Sequence, residues 1–154
     1  MGIEDRLGQL GIDLPPAPKP VASYVPVVVA GGLAFVAGQV ALEDGRPFHP
    51  GRVGDEITLE EAREATRRCT LQALAALQQE LGTLDRVRRI AQVTVFVVSD
   101  PSFTDLPQVA NAASELFADV FGDRGRHARA TVGVAGLPLG VCVEVAVVAE
   151  VEEA

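Results

Sequence analysis

Hydrophobic positions along the chain follow two periods, and the places where the period changes mark the elements. Ile3, Leu7 and Leu10 recur at helical spacing, which predicts a short amphipathic helix within residues 1–13. The stretch Leu14-Pro-Pro-Ala-Pro-Lys-Pro20 cannot hold regular hydrogen bonding and is expected to run extended as a strap. Tyr24–Ala30 and Leu33–Ala37 read as strands joined at Gly31-Gly32, a two-residue hairpin signal, with Pro26 making the first an edge strand or a late starter. Residues 43–57 carry Gly, Pro and Asp and predict a loop. Thr58-Leu-Glu-Glu61 has the form of a capping box, and a helix is expected from there to Leu81, closed by Gly82. Its stripe of Ala62, Ala65, Cys69, Ala73, Ala76 and Leu77 suits close packing on a sheet, while Glu60, Glu61, Arg63, Glu64, Arg67 and Arg68 form a solvated face with i,i+4 pairs. Ile90–Val98 is a strongly apolar strand. A second long helix starts near Thr104 or Asp105 and ends before Gly122, and two strands follow at 129–135 and 141–151.

The order helix, β, β, α, β, α, β, β predicts an α+β domain with two helices on one face of a mixed sheet. The expected organisation is an N-terminal helix and strap over residues 1–21 and one domain over 22–154. The strands carry Val on both faces, yet only one face receives helices. The open apolar face calls for a partner, most economically a second copy of the chain.

Composition narrows the function classes. With 154 residues the chain fits one domain that buries roughly 70% of its unfolded surface. The net charge of -8 disfavours a general affinity for phosphate backbones, so no nucleic acid partner is expected. Met1–Leu7 carries acids and lacks the apolar stretch of a secretory signal, and no apolar run is long enough to span a bilayer; a cytoplasmic location without membrane contact is expected. Cys69 and Cys142 are then reduced thiols, Cys69 in the core and Cys142 on the strand face of Glu144. His49 is an exposed loop residue. Two distant histidines without clustered Cys or Asp make a metal site unexpected, and neither a phosphate loop nor a dinucleotide fingerprint occurs, so no cofactor is expected.

Candidate chemistry concentrates in Arg129–Glu144, where one arginine and one glutamate stand among apolar neighbours. An arginine can grip a carboxylate with two parallel hydrogen bonds, and a glutamate can activate a water. If Gly136–Leu139 closes a hairpin, Thr131 lies opposite Glu144, with Arg129 diagonal to it on the same face at about 7–8 Å; a five-residue loop would turn Glu144 to the other face. Gly122–Arg129 concentrates positive charge, with Arg124 and Arg126 read as loop residues, His127 open, and Asn111 either exposed or part of a site.

Tyr24, Phe35-Val-Ala-Gly-Gln39, Val93-Thr-Val-Phe-Val97, Asn111, and the block from Ala128-Arg129 through Leu137-Pro138 to Val143-Glu144 carry a resemblance. Over roughly residues 22–151 the chain resembles the RidA/YjgF family, whose members bear the labels L-PSP endoribonuclease-like and reactive-intermediate deaminase. The resemblance implies a chorismate-mutase-like fold and a homotrimer around a central β-barrel, with clefts between subunits. It also implies cofactor-free hydrolysis of 2-imino or enamine acids to 2-keto acids and ammonia. Arg129 would bind the substrate carboxylate and Glu144 would position the water. Tyr24, Asn111 and Thr131 would line the cleft, and the backbone at Gly38 would touch the ligand. Ala37, Thr131 and His127 stand where members often carry Ser, Cys and Pro. A non-catalytic trimer that binds a small carboxylate is the alternative, with an endoribonuclease behind it.

Overall fold

The computed structural model describes residues 1–19 and 23–153; the expected boundary between residues 21 and 22 lies outside them. The elements are α1 (Ile3–Gln9), β1 (Val27–Ala30), β2 (Leu33–Val40), a small hairpin of β3 (Leu42–Glu43) and β4 (Arg46–Pro47), α2 (Leu59–Leu81), β5 (Val87–Val98), α3 (Leu106–Phe121), β6 (Ala128–Val134) and β7 (Val143–Val151). Among the described residues no helix is long and apolar enough to cross a membrane.

α2 starts where its cap dictates. The Thr58 hydroxyl accepts from the Glu61 backbone N–H at 3.1 Å, and the Glu61 carboxylate accepts from the Thr58 N–H at 3.1 Å, so two amides at the start of α2 are satisfied reciprocally. The whole predicted small-residue stripe is buried. Small side chains let α2 lie close on β2 and β7, and α3 packs beside it through Val109, Ala113, Leu116, Phe117 and Val120. The charged side of α2 faces outward, and the polar partners it finds lie on other elements. Arg63 reaches Glu115 of α3 at 2.8 Å, and Glu61 and Glu64 hold His49 at 3.3 and 3.2 Å. His49 is therefore half-buried, stacked on Phe48 at 4.2 Å, rather than the free loop residue expected. It pins the 43–57 loop to α2.

α1 is stitched into the same core. Ile3 and Leu7 are buried, the Ile3 N–H donates to the Asp85 carboxylate at 2.7 Å, and the Glu4 carboxylate accepts from the Leu84 N–H at 2.8 Å.

The sheet order is β1-β2-β7-β5-β6, antiparallel except for the parallel pair β5–β6. β1 and β2 form the expected hairpin, with Gly31 and Gly32 both at positive φ (60° and 76°), a conformation that favours glycine. β1 starts late, after Pro26, and is an edge strand.

The last two strands depart from expectation. They are not a hairpin, because β5 lies between them. The connection β5–α3–β6 is a helical crossover, which lays β6 parallel on one edge of β5. β7 takes the other edge and joins β5 to β2. Eight linking residues can span roughly 26 Å, far more than the roughly 10 Å needed to pass over one strand.

The helices cover one face only. Val28, Phe35 and Val132 on the other face are 50%, 45% and 40% exposed, beside Phe96, Ala146 and Val148.

Candidate functional site

Val143, Val145 and Val147 of β7 point into the core, so the period of two turns Glu144 to the open face. Glu144 pairs with Val40 of β2, and beside it β2 bulges between Val36 and Gln39, which takes Ala37 and Gly38 out of the ladder. The Glu144 carboxylate leans over Gly38. A Cβ at residue 38 would overlap it, so the glycine is what makes room for the acid. The Gln39 amide donates to the Ala37 carbonyl at 2.9 Å. Gln72 of α2 clamps the end of β2, donating to the Val40 carbonyl at 2.7 Å and accepting from the Leu42 N–H at 3.2 Å. Arg68 donates to the Leu42 carbonyl at 2.8 Å.

Glu144 lies in a cavity of about 570 Å³ lined by Tyr24, Ala37, Gly38, Gln72, Pro138 and Leu139, with Pro18 and Lys19 reaching in from the strap. Partial burial raises its carboxyl above the ordinary carboxylate value. A carboxyl shifted that way exchanges a proton near neutrality more readily than an exposed one.

Arg129 occupies the other half. It pairs with Val93 of β5 and so faces the helix side, where one Nη donates to the Asn111 carboxamide oxygen at 2.8 Å and to the Ser114 hydroxyl at 3.1 Å, both on α3. Among the described residues no carboxylate pairs with Arg129. Thr131 follows two residues along, opposite Val95 on the same face. Asn111 is thus a partner of the arginine.

The diagonal Arg129–Glu144 pair is therefore absent within one chain. On β5, Arg129 is in register with Val93 and Glu144 with Phe96, an odd offset that puts them on opposite sheet faces. Their Cα atoms are roughly 14 Å apart, from three residues along and two strands across. Tyr24 and Gly38 share the Glu144 cavity; Asn111 and Thr131 belong with Arg129.

Neither cysteine enters a site. Cys69 is fully buried, with its thiol 3.6 Å from the Val143 carbonyl, and burial pushes it well above the ordinary thiol value. Cys142 sits at a bend just before β7, in the core rather than in the Glu144 cavity, and burial pushes it up to about 11. Arg124 donates to the Val87 carbonyl at 3.1 Å, a structural role. Gln72, Ser114, Leu139 and Lys19 were not legible as site residues. Single polar residues inside helices carry no pattern, and a strap has no register.

The sequence profile described as "YjgF/chorismate mutase-like, putative endoribonuclease" matches residues 4–151. The chain belongs to the YjgF family. The match begins at Glu4, within α1. Protein TCP17 of Trypanosoma cruzi is 46% identical over 141 residues, covering 91% of this chain and 88% of that one. The solved structure of protein Atu1372 from Agrobacterium tumefaciens, of unknown function, is 40% identical with a TM-score of 0.90, covering 97% of this chain and 92% of that one. A Dermatophagoides farinae protein named 2-iminobutanoate/2-iminopropanoate deaminase is 26% identical over 141 residues, covering 92% of this chain and 95% of that one. The α+β fold, with a mixed sheet and helices on one face, is the YjgF/chorismate mutase-like fold of that family.

Proposed function

We propose that the chain hydrolyses small 2-imino acids to 2-keto acids and ammonia as a homotrimer, with each site completed between two copies. The observation that carries this reading is the division of the chemistry. Arg129, with no carboxylate partner among the described residues, stands at the β6 edge, and a partly desolvated Glu144 stands in a cavity on the opposite face. Neither half does the reaction alone. The uncovered apolar sheet supplies the reason for association, and a closed trimer would bring the Arg129 edge of one copy to the Glu144 cavity of the next. The deaminase name of a YjgF relative supports the reaction class.

In this mechanism Arg129 holds the substrate carboxylate. Glu144 takes a proton from water as its oxygen adds to C2 of the protonated imine. The carboxyl then returns that proton to the amino nitrogen of the tetrahedral adduct; as the C–N bond breaks and ammonia leaves, the adduct's hydroxyl gives its proton back to the Glu144 carboxylate, the C2 carbonyl forms, and the carboxyl resets by passing that proton to the departing ammonia.

The test generates 2-imino acids in place with an amino-acid oxidase and traps them with semicarbazide. Wild type should divert the imine to keto acid, and Arg129→Ala should lose about a hundredfold in kcat/KM, the loss of two charge-assisted hydrogen bonds. Diversion that survives the substitution would sink the arginine's role. No diversion for any side chain, with keto acid still bound, would favour a carboxylate carrier.

A further inference from the structure

Arg129 is the last member of a chain of hydrogen bonds that begins in the core. His127 is half-buried, edge-on to Phe117 with ring centroids 5.6 Å apart and planes at 78°. Its Nδ1 lies 2.7 Å from the Gly125 carbonyl oxygen, which can only accept, so Nδ1 carries the proton and Nε2 is the acceptor. Nε2 lies 2.9 Å from the Ser114 hydroxyl, which must therefore donate to it. That aims the lone pairs of the same oxygen at Arg129 Nη1, 3.1 Å away. The anchor is rigid: Gly125 is buried, and a Cβ there would overlap the Phe117 carbonyl.

We infer that His127, acting through Ser114, is a positioning residue that fixes how Arg129 presents its guanidinium. This rests on the reading that Arg129 grips a carboxylate. Nη1 has two N–H bonds, and both are used, one on Ser114 and one on Asn111. The pair left for a bidentate grip is Nε and Nη2. The carboxylate is then taken side-on, and the guanidinium plane is set by α3 before a ligand arrives. Every link runs one way, from arginine to serine to histidine to backbone carbonyl, which lets each bond polarise the next. The direction requires a neutral imidazole. Burial and the neighbouring Arg129 both oppose its protonation; Arg126 and Glu115, which line the same hollow, are the other charges nearby.

The decisive readouts are the imidazole nitrogen spectrum and pyruvate affinity by calorimetry, both on the full chain. The chain has two histidines, and His127→Phe assigns the signal while keeping the ring contact with Phe117. An Nδ1–H tautomer is expected for His127. Ser114→Ala and His127→Phe should each weaken pyruvate binding about fivefold, one hydrogen bond's worth, and Ser114→Thr should restore it. An Nε2–H tautomer, or unchanged affinity in both variants, would overturn the inference. A wild type that binds no pyruvate would sink the carboxylate reading instead, and the imidazole spectrum would still decide the relay.

Discussion

Two charged residues define the candidate site, and one of them, Glu144, costs the fold something. The Glu144 carboxyl is raised by burial above its ordinary value of 4.5. Below the ordinary value the group is neutral in folded and unfolded chains alike and makes no difference. As pH rises through the raised value the native state must ionise a partly desolvated acid, and the destabilisation is complete above it. Glu144→Gln should therefore raise Tm at pH 7 while turnover is lost, and the gain should vanish below about pH 4, where both forms are neutral; thermal melts at the two pH values check this. Gly38→Ala should keep the fold but push the Glu144 carboxylate aside, lowering turnover about tenfold or more, as small misplacements of reacting groups do. The lone arginine and the lone glutamate among apolar neighbours were legible in the residues, while Gly38 came only through the family resemblance. The support was not. Ser114, Gln72 and His127 act through contacts between elements, which no spacing along the chain encodes.

Among the elements, the helices were the most readable because each has a periodic apolar face, and α2 adds a capping box. Removing one part should show its share. Thr58→Ala should cost about 1 kcal/mol through the lost cap at Glu61. Phe117→Ala, deleting a fully buried ring that also backs His127, should cost about 3–5 kcal/mol. Urea unfolding of the two variants would separate them, and equal losses would mean the cap or the core is misjudged. Strand order was less legible. The Pro/Gly link before Val141 looks like a turn between neighbours, yet β7 is the strand that binds β2 to β5. A turn signal tells that the chain reverses, not which strand it lands beside. That one difference splits Arg129 from Glu144.

At the scale of the whole molecule, the proposed association of identical chains would account for both the open face of the sheet and the divided site. Light scattering should give three times the 16.2 kDa chain mass. Phe35→Glu, placing a charge on the exposed apolar face, should yield monomers without deaminase activity. The most direct test of the site between copies mixes two inactive variants, Arg129→Ala and Glu144→Gln, unfolded and refolded together at equal amounts. If Arg129 of one copy serves Glu144 of the next, every mixed trimer holds one intact site, and about a quarter of wild-type activity should return. If both residues served a site within one chain, the mixture would stay as inactive as its components, and the account given for this fold would be contradicted.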